Sequence, residues 1–247
     1  MSLVEDFLHP FNHMCPFPHA SSPWHSSTYF HNRIQAAERL ADSLSHYKGK
    51  KPLVLGIPRG SVPMAKVIAE KIQGELDVVL VHKIGSPDNP EFAIGSVSEF
   101  GSIYFSDSAS EYRIPADALK KAAQAEIGKL KARRISYSPV RPPINPRGRI
   151  VIIVDDGIAT GSTLLAAIRA VRSQKPSKLI AAAPVGSPRT LDLLRSEVDE
   201  LIVLETPIDF FSISQFYDEF EQVTDDEVLK ALAESRQEIA PHHRAVS

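Results

Sequence analysis

The chain has 247 residues, 43% of them hydrophobic, enough to bury a full core in one α/β domain with insertions. Its 28 basic and 30 acidic residues leave a net charge of -2, so no global cationic field exists to hold nucleic acid and any anion site must be built locally. Cys15 is the only cysteine, which excludes an intramolecular disulfide and a multi-cysteine zinc site and fits the cytoplasm, while no apolar run is long enough to span a bilayer and no secretory signal pattern opens the chain.

Residues 1–27 mix histidine, proline, serine and aromatic residues without a period and read as an extended arm. His9, His13, His19, His25 and His31 invite a metal reading, but only the first pair has helical spacing and the prolines disfavour a helix there. Residues 28–247 read as a single domain. From Thr28 a helix is expected, with Phe30, Ile34, Ala37, Leu40, Ala41 and Leu44 on its packing face. PLVLGI is a buried-strand candidate, MAKVIAEKIQ a helix and LDVVLVHK the next strand, which together make a βαβ unit.

Residues 84–114 form an insertion in which AIGSVSEFGSIYFS reads as a hairpin around Phe100 and Gly101. The following helix places Leu119, Ala123, Ile127 and Leu130 on one face, and Arg133 and Arg134 in its last turn read as solvated charges complementing the dipole. A second unit then alternates RIVIIV, TLLAAIRAVRSQ, KLIAAAPV, TLDLLRSE and ELIVLE. The remainder, 205–247, reads as a hood followed by a helix that Thr224 and Glu227 cap. Strands apolar on both faces and joined by helices imply a parallel sheet covered on both sides, with ligands beyond the carboxyl ends of the strands.

The stretch VIIVDDGIATGST, Val151 to Thr163, carries the chemistry. An apolar strand delivers Asp155 and Asp156 to the sheet edge, where two repelling carboxylates call for a partner such as vicinal ribose hydroxyls or a cation. The next loop opens a helix, so its backbone N–H groups and the helix dipole favour a phosphate. Gly157 and Gly161 allow close approach, and Thr160, Ser162 and Thr163 offer hydroxyls. The stretch therefore describes a site for a ribose 5-phosphate. Neither GxxxxGK[ST] nor a strand-borne GxGxxG is present, which argues against a nucleoside-triphosphate kinase or a Rossmann dehydrogenase.

This stretch resembles the phosphoribosyl pyrophosphate signature of the type I phosphoribosyltransferases, and IPRGSVPMA with HKIGSPDNPEFAIGSVSE resembles bacterial members of unassigned acceptor. The resemblance implies the family's parallel sheet flanked by helices, with a small hood and a mobile hairpin loop. It implies that Asp155 and Asp156 bind the ribose hydroxyls, that Gly157 and Ala159 through Thr163 wrap the 5-phosphate, and that Arg59, Gly60, Ser61 and Lys83 face the pyrophosphate. The first-strand loop would present its N–H groups through an unusual peptide bond. Ala159 departs from the family, many of whose members carry threonine there.

The implied activity is Mg²⁺-dependent transfer of ribose 5-phosphate from phosphoribosyl pyrophosphate to a nitrogenous base, with release of pyrophosphate. Asp155 and Asp156 would reach the metal through water or ribose hydroxyls. The resemblance also implies a homodimer. Within the insertion, Glu91 and Glu99 read as solvated charges rather than bases. Val185, Phe210 and Phe211 are candidates for the acceptor pocket, although Phe210, Phe211, Phe216 and Tyr217 at this spacing more often belong to a core. Two other classes stay open: a non-catalytic regulator that senses phosphoribosyl pyrophosphate or binds RNA, and a hydrolase of a phosphoribosyl compound.

Overall fold

The computed structural model describes residues 29–86, 93–105 and 115–239. Glu91 and the arm with its first four histidines lie outside these residues. In chain order the elements are α1 (Arg33–Ser43), β1 (Leu53–Gly56), α2 (Val62–Ile72), β2 (Glu75–Val78), β3 (Val81–Gly85), β4 (Ala93–Ser98), β5 (Ile103–Phe105) and α3 (Ala116–Tyr137). They continue with β6 (Ile150–Val154), α4 (Ser162–Ser173), β7 (Lys178–Val185), α5 (Pro188–Leu194), β8 (Glu200–Glu205) and α6 (Asp225–Ile239). No helix among the described residues is long and apolar enough to cross a membrane.

The central sheet is five-stranded in the order β2-β1-β6-β7-β8, and every pairing in it is parallel. Alternation along each strand sends neighbours to opposite faces. Val54, Ile152, Val154, Ile180 and Ala182 join a core with α1, α2, α3 and α6. Leu53, Leu55, Val151, Ile153, Leu179 and Ala181 join a second core with α4 and α5. The expected parallel sheet with helices on both faces is what forms.

Several sequence expectations change. The first helix starts at Arg33 rather than Thr28, because the Asn32 side chain caps it by accepting from the N–H groups of Ile34 and Gln35, each at 3.0 Å. Ile34 falls in that capped first turn and is 44% exposed, whereas Ala36, Ala37, Leu40 and Ala41 are buried.

The segment expected as one strand, LDVVLVHK, is two. The Val79 N–H still donates to Gly56, but the Leu80 N–H turns to the Glu99 carboxylate at 2.9 Å, and the chain leaves the parallel sheet. It enters a three-stranded antiparallel sheet, β3-β4-β5, in which the expected hairpin is present.

Glu99 and Arg134 are not solvated. Their side chains are 6% and 11% exposed, and Arg134 donates to Glu99 Oε1 at 2.7 Å and to Glu99 Oε2, to Asp77 Oδ1 at 2.9 Å and to the Val78 carbonyl at 2.8 Å. Burial alone would lower the guanidinium's pKa, but its bonds to Glu99 and the charge of Asp77 raise it instead. The pair ties α3 to the point where the two sheets part. Arg133, half-buried, holds Asp225 and Tyr137. The expected Thr224–Glu227 cap is present, with reciprocal bonds of 2.7 and 3.2 Å.

Candidate active site

The carboxyl ends of β1 and β6 open onto a cavity of about 280 Å³. Its walls are the loop 57–61 after β1, the acids and loop 155–163 after β6, Leu164 and Ile213. Of the residues proposed for donor binding, Arg59, Gly60, Ser61, Asp155, Asp156, Gly157, Ala159, Thr160, Gly161, Ser162 and Thr163 all line it. Lys83 does not: it stands exposed on β3, in register with Ser96.

The phosphate-sized part of the cradle is the turn before α4. Gly161 occupies the left-handed region at φ 73, and a Cβ on it would collide with Thr190, so no other residue fits this turn unstrained. Thr190 in turn donates to the Ala159 carbonyl at 2.7 Å, and the Ile158 N–H donates to Val185 at 2.8 Å, so the end of β7 and the start of α5 brace the loop after β6. No side chain caps α4; Thr160 Oγ1 and Ser162 Oγ pair with each other at 2.8 Å, and the first-turn N–H groups have no acceptor within the helix. That leaves donors and the positive end of a helix dipole at the cavity, an arrangement that suits an anion.

Across the cavity the loop after β1 carries the expected unusual peptide bond, a cis bond between Pro58 and Arg59. Ser61 is buried and its hydroxyl donates back to the Ile57 carbonyl, so that hydroxyl is already engaged within the loop. The Arg59 side chain leans outward to Asp225, Nη1 to Oδ2 3.7 Å.

The two acids differ in their surroundings. Asp155 Oδ1 accepts the Asp156 N–H at 3.0 Å, and burial followed by repulsion from Asp156 pushes its pKa well above the usual carboxylate range. Asp156 is also pushed up by burial, but the Arg33 guanidinium opposes that shift. Arg33 donates through Nε to Asp156 Oδ2 at 2.9 Å and sets Nη2 in ion-pair contact with the same oxygen, also at 2.9 Å, with the two side chains 12% and 14% exposed. Tyr217 donates its hydroxyl to the Asp156 carbonyl at 2.7 Å, and burial followed by the Asp156 charge raises the pKa of that hydroxyl.

Gly60 and Gly157 are required by close approach. A Cβ on Gly60 would overlap Asp156 Oδ2, and one on Gly157 would meet Ile213 Cγ2 at 2.5 Å. Arg33, Ile213 and Tyr217 are not assigned to this site by the sequence, since each belongs to a segment remote from the motif and carries no local signature.

The acceptor candidates scatter. Val185 is fully buried, which removes its side chain from any ligand. Phe210 packs against Phe216 with ring centroids 5.0 Å apart, while Phe211 is 88% exposed. Phe216 and Tyr217 are core residues, as their spacing suggested. His31 faces Asp218 and Glu219 at 3.4 and 3.7 Å.

A family model described as "Phosphoribosyl transferase domain" matches residues 25–221. The chain belongs to this family. It is 36% identical over 212 residues to "Putative phosphoribosyl transferase Rv0571c" of Mycobacterium tuberculosis, an alignment covering 85% of this chain and 48% of that protein. The chain thus spans about half the length of the curated relatives it matches first. It is also similar to an adenine phosphoribosyltransferase of Ectopseudomonas mendocina, 34% identical over 42% of this chain and 55% of that one. Among solved structures, TT1426 from Thermus thermophilus superposes with a TM-score of 0.75 at 38% identity, covering 83% of this chain and 98% of the other. Membership of this family agrees with the parallel sheet flanked by helices.

Proposed function

We propose that this phosphoribosyl transferase family member moves ribose 5-phosphate from phosphoribosyl pyrophosphate to a nitrogenous base and releases pyrophosphate. The observation that supports this reading is the gathering of the acid pair, the phosphate turn and the loop after β1 around one cavity. In the reaction the C1–oxygen bond to pyrophosphate breaks with its electron pair leaving on pyrophosphate, a C1–nitrogen bond forms, and the acceptor nitrogen gives up a proton. The chain's part is positioning and charge. The turn 157–163 holds the 5-phosphate, Asp155 and Asp156 accept from the ribose hydroxyls, and the N–H groups of Arg59, Gly60 and Ser61 face the leaving group.

Mg²⁺ fits this arrangement. No group of three or more His, Cys, Asp or Glu among the described residues could hold a metal alone. A cation there would therefore rest mainly on donor oxygens and water, with Asp155 and Asp156 as its nearby charges, and would neutralise the departing pyrophosphate. Phe211 is the remaining acceptor candidate, since it is exposed two residues before the cavity wall at Ile213. We place the protein in the cytoplasm, as a homodimer whose mass light scattering would report.

Calorimetric titration with phosphoribosyl pyrophosphate, with and without Mg²⁺, tests the donor reading; saturable binding lost in the Asp155→Asn, Asp156→Asn double variant is the expected result. Pyrophosphate release against a panel of bases then tests transfer. Binding without release for any base would favour a sensor, release with water alone would favour a hydrolase, and absence of binding would overturn the reading.

A further inference from the structure

Arg33 lies far from the motif in sequence, yet it is the cation in contact with the acid pair. It sits in the first turn of α1, donates through Nε to one oxygen of Asp156 at 2.9 Å, and sets Nη2 in ion-pair contact with the same oxygen at 2.9 Å. Its third nitrogen, Nη1, donates to the Glu221 carbonyl at 2.6 Å, and its guanidinium carbon lies 3.7 Å above the Phe220 ring centroid. The side chain is therefore fixed on three sides before any ligand arrives. Gly60 completes the enclosure: a Cβ there would overlap Asp156 Oδ2 and come within 3.2 Å of Arg33 Nη2. The loop facing the pyrophosphate thus rests directly on this ion pair.

We infer that Arg33 is a positioning residue for the sugar: by holding Asp156 through Oδ2 alone, it aims Oδ1 at a ribose hydroxyl and sets the diol end of the cavity against the loop after β1. This rests on the reading of Asp155 and Asp156 as acceptors from the ribose hydroxyls. Two adjacent carboxylates with no cation would splay apart by repulsion, and a carboxylate free to rotate loses the preorganisation that a diol contact needs. With Oδ2 occupied, only one orientation of Asp156 survives, and its repulsion of Asp155 is offset. The phosphate turn at 157–163 makes no contact with Arg33 through any of these bonds, so the two ends of the sugar phosphate depend on Arg33 unequally.

That inequality is measurable. Binding of ribose 5-phosphate and of inorganic phosphate is measured on the whole chain carrying wild-type Arg33, Arg33→Met, Arg33→Lys or Phe220→Leu, with melting curves confirming the fold. The ratio of the two affinities reports the diol end alone. Arg33→Met is expected to lower that ratio by about tenfold or more while leaving phosphate binding in place, as loss of a positioning contact does. Arg33→Lys, which keeps the charge without the fork, should recover part of it. Phe220→Leu removes the shelf and keeps both charges, so it should lower the ratio less.

An unchanged ratio in folded Arg33→Met overturns the inference, and so does a parallel loss of both ligands, which would make Arg33 a scaffold residue. Should Arg33→Met not fold, Arg33→Lys and Phe220→Leu decide, and an unchanged ratio in both overturns it. A wild-type protein that binds ribose 5-phosphate no better than phosphate overturns the reading of the acid pair itself, and the role of Arg33 with it.

Discussion

Arg59 lines the cavity, and its guanidinium pairs with Asp225, 3.7 Å away at the start of α6. Asp225 already accepts from Arg133 at 2.8 Å and from the Tyr137 hydroxyl at 3.0 Å. Hydrogen bonding to Arg133 is the main cause that holds its carboxyl below the usual range. Arg59 is thus the loosest of its three partners and the one able to leave. Arg59→Ala should weaken phosphoribosyl pyrophosphate about tenfold, the scale of one lost charge-assisted contact, while ribose 5-phosphate binding stays unchanged. Equal weakening of both ligands in calorimetry would remove Arg59 from the pyrophosphate end.

Asp155 gives a prediction with opposite signs for stability and binding. Its carboxyl is raised above the unfolded value, so as pH rises from the ordinary carboxylate range the unfolded chain gives up this proton first and the fold loses stability until the folded-state pKa is passed. Asp155→Asn should therefore leave the melting temperature at neutral pH unchanged or raised, flatten the pH dependence in that window, and abolish donor binding. A clear drop in melting temperature would show that the charge is compensated in the apo protein.

Glu99→Gln should destabilise the chain by about 3–5 kcal/mol, because it strips one partner from a buried ion pair and leaves Arg134 facing Asp77 alone. Denaturant unfolding measures this directly. A cost under about 1 kcal/mol would mean that water reaches the pair, as at a surface salt bridge.

Gly60→Ala should cost donor binding more than it costs the fold. The added methyl strikes the Asp156 carboxylate, which lines the cavity, and crowds its Arg33 partner, and overpacking of this kind costs about 1–3 kcal/mol. Normal phosphoribosyl pyrophosphate affinity in this variant would show that the loop after β1 moves freely over the acid pair.

Much of this is legible in the sequence because the signals are local. The strands of the parallel sheet are short apolar runs between helices, and the motif packs strand, acids, turn and helix into thirteen consecutive residues. What escapes depends on contacts between remote segments. Glu99 and Arg134 each look solvated among their own neighbours, and only the fold brings them together in the interior. The break between β2 and β3 has the same origin, since the residue that diverts Leu80 is Glu99, far along the chain. Lys83 is misplaced when one strand is read where there are two. Arg33 belongs to a helix whose sequence reports only its buried face.

The pairing of residues 29–31 with 216–219 has a consequence for biosynthesis. Tyr29 and Phe30 donate to the Phe216 carbonyl, while Asp218 and Glu219 donate to Phe30 and His31. The segment that delivers Arg33 therefore cannot dock until residues more than 180 positions later have left the ribosome. A nascent chain halted before Ile213 carries both acids and the whole phosphate turn, yet lacks the wall at Gly157 and the seam that seats Arg33. The cavity is thus among the last parts of the molecule to be finished.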